Sequence, residues 1–342
     1  MEILAAVVLL TSLAAAKTII SLQLPGRFTI LSAISLLSIS QLFNWGDYHW
    51  KLGFYCALMV VHYLVTFNGR PSKFSYYFGL FYPILLLVLF KYLPDEIYNS
   101  LNVEIASGTT PTAIGLIGIS YMAFRTSYMT VEVYNTGIER PRLDQYICYA
   151  FFLPTFSIGP ISRYQTFIRS FDAPDISSWR FHAYSVERVL KGSVKYFFLA
   201  PIFAQLDYNG LLLDGNQHHS VDLLVAAVAY YGFIYCNFSG FCDIAIGASG
   251  MLRIRVDENF NQPYLARNVQ DFWNRWHMTL NAYMRDMVFT NLSKALVTRF
   301  GTKRLNACLT LSILVVFLLI GLWHGRAWNF VIFGLLHGGA VV

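Results

Sequence analysis

Residues 305–323 read Leu-Asn-Ala-Cys-Leu-Thr-Leu-Ser-Ile-Leu-Val-Val-Phe-Leu-Leu-Ile-Gly-Leu-Trp, the most apolar run of the chain. The run carries no charged residue, and about 20 apolar residues are enough for a helix to cross the hydrocarbon core of a bilayer. This stretch therefore predicts a transmembrane helix and a fold whose solvent is lipid.

The composition of the 342-residue chain agrees with that prediction. Hydrophobic residues make up 56% and charged residues only 13%, whereas soluble domains carry about 25% charged residues. So few charges cannot cover a water-soluble fold of this size, which excludes an ordinary soluble enzyme, a disulfide scaffold and a disordered chain. The net charge of +6 does not indicate nucleic acid, because the basic residues lie in short loops beside apolar runs, as in membrane proteins.

Further apolar runs predict an all-α, polytopic integral membrane protein. A re-entrant segment is predicted at Tyr146–Pro160, broken at Gly159-Pro160, where proline cannot continue a helix. Together the segments give about nine to eleven transmembrane or re-entrant helices in a single domain over residues 1–342. The other runs are Ile3–Ala16, Phe28–Phe43, Lys51–Phe67, Tyr76–Leu93, Thr112–Val133, Leu190–Leu206, Val221–Cys236 with an extension toward Met251, and Ala327–Val342.

Loop charges predict the orientation of this multi-pass protein. Residues 163–188 and 253–304 are rich in arginine, whereas residues 95–104 and 207–222 contain acidic residues and no Lys or Arg. Because Lys and Arg are retained on the cytoplasmic side of a membrane, the first two stretches are expected inside and the N-terminus extracytoplasmic.

Residues 264–291 are too polar to span a bilayer and too apolar for a solvated loop, so they predict one interfacial or half-inserted helix. Asn268 followed by Asp271 resembles a capping box, and Asp271 with Arg275 has the spacing of a favourable helical ion pair. On one continuous helix, His277 would lie at the edge of an apolar stripe. That stripe comprises Trp273, Trp276, Leu280, Met284 and Met287.

Two histidines are candidates for chemistry. A histidine facing the protein interior at membrane depth is costly unless it is used or satisfied, so His277 is either functional or a structural residue bonded to a backbone carbonyl. His324 ends the most apolar run between Trp323 and Trp328. That setting would keep the imidazole neutral and able to accept a proton, although an interfacial aromatic belt is the alternative. His337 is interpreted as a packing residue or as one that supports a neighbouring site residue.

Three motifs resemble the membrane-bound O-acyltransferase (MBOAT) family: Asp271-Phe-Trp-Asn-Arg-Trp-His277, Arg285-Asp286 and Trp323-His324-Gly325. The likeness is to the bacterial branch of D-alanyl transfer proteins and alginate or peptidoglycan O-acetylases. It extends from about Gly118 to Gly338. Because the family usually continues beyond the position of His337, the chain is expected to be truncated at its C-terminus. Supporting stretches are Gly118–Arg125, Phe152–Tyr164 and Phe238–Asp243.

The resemblance implies a central tunnel with His324 as catalytic base and His277 as its partner. His277 would either orient the acyl donor or stabilise the developing oxyanion. The residues expected to line the tunnel or bind substrate are Trp273, Asn274, Trp276, Arg285, Asp286, Trp323 and Trp328. A basic patch on the donor side would comprise Arg253, Arg255, Arg267 and Arg275.

The resemblance further implies transfer of a D-alanyl or acetyl group across the bacterial cytoplasmic membrane. The donor would be a cytoplasmic thioester, on carrier-protein phosphopantetheine or coenzyme A, and the acceptor a hydroxyl of an extracytoplasmic polymer. Expected partners are the lipid bilayer, an acyl carrier protein or acyl-CoA, and the polymer or a partner acyltransferase. No bound cofactor is expected, and no metal, because neither histidine has the companions of a zinc site. A polytopic transporter and an inactive scaffold subunit are the alternatives.

Overall fold

The computed structural model describes residues 15–20, 25–42, 49–92, 118–172, 179–211, 218–325 and 327–342. Within these ranges the chain is helical and contains no β-strand, which confirms the all-α prediction. Most of the predicted run Ile3–Ala16 lies outside the described residues. The loop 95–104, which contains three acidic residues, lies entirely outside them.

Two compact units divide the chain. The first unit comprises Met1–Phe90 and Ile114–Asp257, and the second comprises Lys91–Ala113 and Glu258–Val342. The expectation of a single membrane domain remains a prediction. The helices of the first unit are α1 Arg27–Leu42, α2 His49–Tyr63, α3 Lys73–Tyr92, α4 Ile119–Thr136, α5 Leu143–Ala150, α6 Tyr164–Ser170, α7 Trp179–Ser193, α8 Ala200–Leu206, α9 Tyr208–Leu211 and α10 Ser220–Met251.

The second unit begins with the last two residues of α3 and contains the segments that carry both candidate histidines. A π-helical turn, Arg285–Phe289, joins two of its helices, and similar turns follow α2 at Leu64–Asn68 and join α7 to α8 at Val194–Leu199. The remaining helices are α11 Val269–Arg275, α12 Met278–Met284, α13 Thr290–Phe300, α14 Leu305–His324 and α15 Trp328–Val341.

Three helical segments among the described residues are long and apolar enough to cross a membrane: Lys73–Tyr92, Ser220–Met251 and Thr302–His324. Shorter apolar helices occupy Arg27–Ser40, Leu52–Asn68 and Trp328–Val341. All six coincide with runs predicted from the sequence, because a long uncharged apolar stretch has few alternatives to a helix in lipid. The number of nine to eleven segments and the central tunnel remain predictions.

The predicted re-entrant segment breaks earlier than expected. Helix α5 ends at Ala150, well before Gly159-Pro160. The buried Arg125 explains the break, because its guanidinium donates hydrogen bonds to the carbonyl of Ala150 at 2.9 Å, to that of Thr155 at 3.0 Å and also to that of Tyr149. The last carbonyls of a helix have no helical donor, so Arg125 stabilises the end of α5. The membrane topology of this segment remains a prediction.

Pro83 explains a buried polar network around His62, to which sequence analysis gave no role. Proline has no N–H, so the carbonyl of Gly79, four residues earlier in α3, loses its helical donor. His62 Nε2 donates to that carbonyl at 2.9 Å, and Thr130 Oγ1 donates to it at 3.2 Å. Since Nε2 carries the hydrogen, Nδ1 accepts from the Tyr146 hydroxyl at 2.8 Å. His62 is therefore a structural residue that connects α2, α3 and α5.

Helices α7 and α10 approach closely through glycines. A Cβ added at Gly192 would lie 2.6 Å from the Gly240 carbonyl oxygen, so larger residues would separate the two helices. The approach brings Asp243 within 2.6 Å of Arg188 Nε and 2.7 Å of Lys195 Nζ. Asp243 is 6% exposed, and both of its oxygens therefore have cationic partners.

Candidate functional site

His277 lies at a break between two short helices of the second unit. Helix α11 ends at Arg275, Trp276 is extended, and His277 adopts a left-handed conformation with φ 48° and ψ 50° before α12 begins at Met278. The prediction of one helix through residues 264–291 is therefore wrong. A non-glycine residue in this conformation costs of order 1–3 kcal/mol and persists only where its surroundings enforce it.

A segment preceding α11 enforces this break. Phe260 forms an antiparallel β-bridge with Trp276, and the backbone N–H of Met278 donates to the Asn259 carbonyl at 2.9 Å. Asn281 Nδ2 donates to the Trp276 carbonyl at 2.7 Å. These bonds satisfy backbone groups that an interrupted helix leaves without partners.

The predicted N-cap at Asn268 is confirmed, but the capping box is not, because the Asp271 carboxylate accepts from the N–H of Arg267 rather than from that of Asn268. The Asn268 side chain accepts a hydrogen bond from the backbone N–H of Asp271 at 2.7 Å, and Arg275 Nε donates to Asp271 Oδ1 at 2.9 Å. The Arg275 guanidinium holds the pKa of the Asp271 carboxyl below its usual value. The other oxygen of Asp271 accepts from the backbone N–H of Arg267 at 3.1 Å. The helix end that leads to His277 is thus fixed at its first turn.

The His277 imidazole is buried beside a polar residue that sequence analysis did not identify. Asn259 Oδ1 lies 3.0 Å from His277 Nδ1, and the same oxygen accepts from Thr279 Oγ1 at 2.8 Å. Asn259 is 0% exposed and His277 is 3% exposed. The structure thus gives His277 a specific hydrogen-bond partner, and this partner is an amide side chain rather than the backbone carbonyl that was expected for a structural histidine.

Trp323 contacts both candidate histidines. Its ring centroid lies 6.2 Å from that of His277 and 4.6 Å from that of His324, the last residue of α14. Lys91 Nζ donates a hydrogen bond to the Trp323 carbonyl, and the Tyr92 hydroxyl donates to the Leu322 carbonyl. The structure therefore brings together the two imidazoles that the sequence separates by 47 positions, and Trp323 connects them.

Helices α14 and α15 form a hairpin that positions His324. A Cβ at Gly321 would clash with the Phe330 carbonyl oxygen, and a Cβ at Gly334 would lie 2.5 Å from the Phe317 carbonyl oxygen. The Phe330 ring also stacks on the His324 imidazole at 6.2 Å between centroids. Glycines therefore permit the close backbone approach on which the orientation of His324 depends.

We expect Gly321→Ala and Gly334→Ala each to lower stability by about 1–3 kcal/mol, the usual cost of overpacking a dense contact. Gly339→Ala is the matched control on the same hairpin, because a Cβ there meets nothing within 4 Å. Thermal unfolding of the three variants in detergent measures the difference. Equal unfolding temperatures for all three would contradict the close packing of α14 against α15.

His337 packs among aromatic rings, as expected for a residue that packs or that supports a neighbouring site residue. Its ring centroid lies 4.4 Å from that of Phe333 and 5.2 Å from that of the buried Trp273. An open groove of about 580 Å³ begins beside His337. Its wall is formed by residues between Pro263 and Phe272 and by α15 residues from Leu336 to Ala340.

The other predicted site residues are more dispersed. Trp276 packs against the Phe272 ring at 5.5 Å. The side chains of Asn274, Arg285 and Trp328 are exposed, and Arg285 Nε donates to Asp286 Oδ1 at 3.1 Å. Their exposure separates them from the buried His277, whereas Trp323 is half-buried and His324 is itself exposed. Of the predicted basic patch, Arg253 and Arg255 belong to the first unit, and Arg267 and Arg275 to the second.

Several curated proteins are similar to this chain. A teichoic acid D-alanyltransferase of Streptococcus thermophilus is 28% identical over 280 residues, which are 80% of this chain and 65% of that protein. A probable alginate O-acetylase AlgI of Azotobacter vinelandii is 31% identical over 301 residues, 84% of this chain and 58% of that protein. The corresponding protein of Pseudomonas aeruginosa is 33% identical over 268 residues, 76% of this chain and 49% of that protein. The chain thus spans less than two thirds of the length of each of these three relatives.

The sequence profile of the MBOAT, membrane-bound O-acyltransferase family, matches residues 29–342. The match includes both histidines, Trp323 and the segment around Asn259. The resemblance inferred from three short motifs is confirmed, as is the likeness to D-alanyl transfer proteins and alginate O-acetylases. Because the match covers nearly the whole chain, the protein belongs to the membrane-bound O-acyltransferase family.

Proposed function

We propose that the protein is an O-acyltransferase that moves a D-alanyl or acetyl group from a cytoplasmic thioester to a hydroxyl of an extracytoplasmic cell-envelope polymer. This proposal rests on one observation: the rings of His277 and His324 both lie beside the ring of Trp323, and His324 ends a helix that is apolar enough to span a membrane. The relatives support the choice of acyl groups, since they are named for D-alanyl transfer to teichoic acid and for alginate O-acetylation.

In this mechanism neutral His324 acts as the general base. It takes the proton of the acceptor hydroxyl while the hydroxyl oxygen attacks the thioester carbonyl carbon. The carbon–sulfur bond then breaks, and the departing thiolate receives that proton from the imidazolium. General acid–base assistance of this kind contributes about 10² to 10⁴-fold. Trp273, Trp276 and Trp323 would exclude water, which would otherwise compete for the acyl group.

The donor is proposed to be a thioester on carrier-protein phosphopantetheine or coenzyme A, acting as co-substrate rather than as bound cofactor. Arg267 and Arg275 add positive charge to the second unit, and Arg253 and Arg255 add it to the first. Positive charge attracts an acidic carrier protein or the phosphates of coenzyme A, and the attraction weakens as salt rises. The arginine-rich loops also support a multi-pass placement in the bacterial cytoplasmic membrane with the N-terminus outside.

A reconstituted assay tests this function. The full chain in lipid vesicles receives radiolabelled acetyl or D-alanyl thioesters, each on a carrier protein or on coenzyme A, with a hydroxyl-bearing envelope polymer as acceptor. We expect ester-linked label on the polymer with one acyl group and one carrier, weaker at high salt. Movement of the acyl group without any covalent product would indicate a transporter. Absence of both transfer and movement with every donor would favour a scaffold role and contradict the proposal.

A further inference from the structure

Asn259 is a completely buried residue whose side chain contacts two members of the turn at His277. Its Oδ1 lies 3.0 Å from His277 Nδ1, 3.3 Å from the backbone nitrogen of Thr279 and 2.8 Å from Thr279 Oγ1. Its own carbonyl accepts from the N–H of Met278 at 2.9 Å. Asn259 thus holds the turn with both its main chain and its side chain.

These contacts determine which ring nitrogen of His277 carries the hydrogen. The backbone N–H of Thr279 can only donate, so the Asn259 atom that faces it is the amide oxygen rather than the amide nitrogen. An amide oxygen can only accept, so His277 Nδ1 must donate to it. A neutral imidazole carries one hydrogen, and His277 Nε2 therefore holds a lone pair.

We infer that Asn259 is a positioning residue that fixes neutral His277 as the Nδ1–H tautomer, so that His277 acts on substrate through Nε2 as a hydrogen-bond acceptor. An amide partner adds no negative charge and does not favour the imidazolium, as a carboxylate would. An oxyanion is stabilised by hydrogen-bond donors, which neutral Nε2 is not. Under the proposed function, neutral His277 can therefore only accept a hydrogen bond from a substrate N–H or O–H group, and its role as an oxyanion donor is excluded for the neutral form.

The role of His277 Nε2 as an acceptor for substrate rests on the proposed acyltransferase function, whereas the assignment of the tautomer does not. The tautomer follows from the contacts around Asn259 alone. Substitution of the Asn259 side chain leaves its main-chain bond to Met278 in place, so the turn at His277 retains part of its support. The two parts can therefore be tested by separate measurements on the same variants.

Nitrogen-15 spectroscopy of the histidine-labelled full chain tests the tautomer. His277→Gln identifies the signals of His277. We expect a protonated Nδ1 in the wild type and a shift toward the Nε2–H form in Asn259→Ala. Thr279→Val is the matched control, because it removes the hydroxyl that donates to Asn259 but keeps the Asn259 oxygen that accepts from His277. The His277 tautomer in this variant should match that of the wild type. An Nε2–H form in the wild type, or an unchanged tautomer in Asn259→Ala, would overturn the inference.

Kinetics of the same variants test the role of Nε2. Where such a partner orients a metal-bound histidine, its loss typically costs about 10- to 100-fold. We expect a comparable effect on His277, so Asn259→Ala should lose about tenfold or more in acyl transfer. Asn259→Asp retains the acceptor and should recover part of that loss. A raised KM for the acyl donor would indicate that Nε2 accepts from an N–H group of the acyl donor. A raised KM for the polymer would indicate that Nε2 accepts from the hydroxyl of the polymer. Unchanged kinetics in a variant whose His277 tautomer has changed would contradict the role of Nε2 in binding substrate. An inactive wild type would contradict only the proposed acyltransferase function.

Discussion

His324→Ala should lower acyl transfer by at least about 100-fold, the smallest loss expected when a general base is removed. The substitution takes away the only side-chain group of residue 324 that can accept a proton. The alanine removes little packing volume at the end of α14, so the variant should still insert and fold. Initial rates of polymer acylation, at equal amounts of folded protein, measure the loss.

His337→Ala is the matched control for His324→Ala. It removes an imidazole from the same helical hairpin, but His337 packs against Phe333 and Trp273 rather than against Trp323. We expect a lower unfolding temperature and nearly unchanged acyl transfer. Near-wild-type transfer by well-folded His324→Ala would remove this histidine from the mechanism, and with it the main residue-level support for the acyltransferase proposal.

The helices around the site were predictable because their causes are local. The bounds of α14 follow from an uncharged apolar run, and the start of α11 follows from the Asn268 side chain and the Asp271 carboxylate, which lie within one turn. Such features appear in any short window of sequence. The expectation that His324 ends an apolar helix was confirmed for the same reason.

The break at His277 was not predictable because its causes are distant in sequence. Apolar periodicity continues through residues 264–291, and no glycine or proline marks the turn. The left-handed conformation of His277 depends on bonds from Asn259 and Phe260, which lie outside the predicted helix. Asn259 itself has no local pattern that separates it from an ordinary loop asparagine.

The polar network around His62 was predictable in part. Pro83 lies inside an apolar helix, and the carbonyl four residues earlier belongs to Gly79. That spacing signals an unsatisfied carbonyl and hence a buried donor nearby. The sequence could therefore have predicted the need for a partner, whereas only the structure shows that His62 and Thr130 supply it.

Asp243→Ala should destabilise the first unit by about 3 kcal/mol, the lower end of the cost of removing one member of a buried ion pair. Arg188 and Lys195 would lose the carboxylate they share, and the glycine contacts between α7 and α10 would keep the two cations close together. The two cations left without a carboxylate lie against a helix that is apolar enough to span a membrane, where an uncompensated charge is especially costly. Thermal unfolding in detergent measures the effect.

Glu187→Ala is the matched control, because Glu187 and Lys191 form an ion pair of similar length, 2.6 Å, on the exposed face of α7. Both side chains are more than half exposed, and water screens such pairs, so this variant should unfold close to the wild-type temperature. Asp243→Asn should lie between the two, since the amide oxygen can accept from one cation but cannot neutralise both. If Asp243→Ala were as stable as Glu187→Ala, the buried cluster would contribute nothing beyond a surface pair, and the α7–α10 contact would depend on its glycines alone.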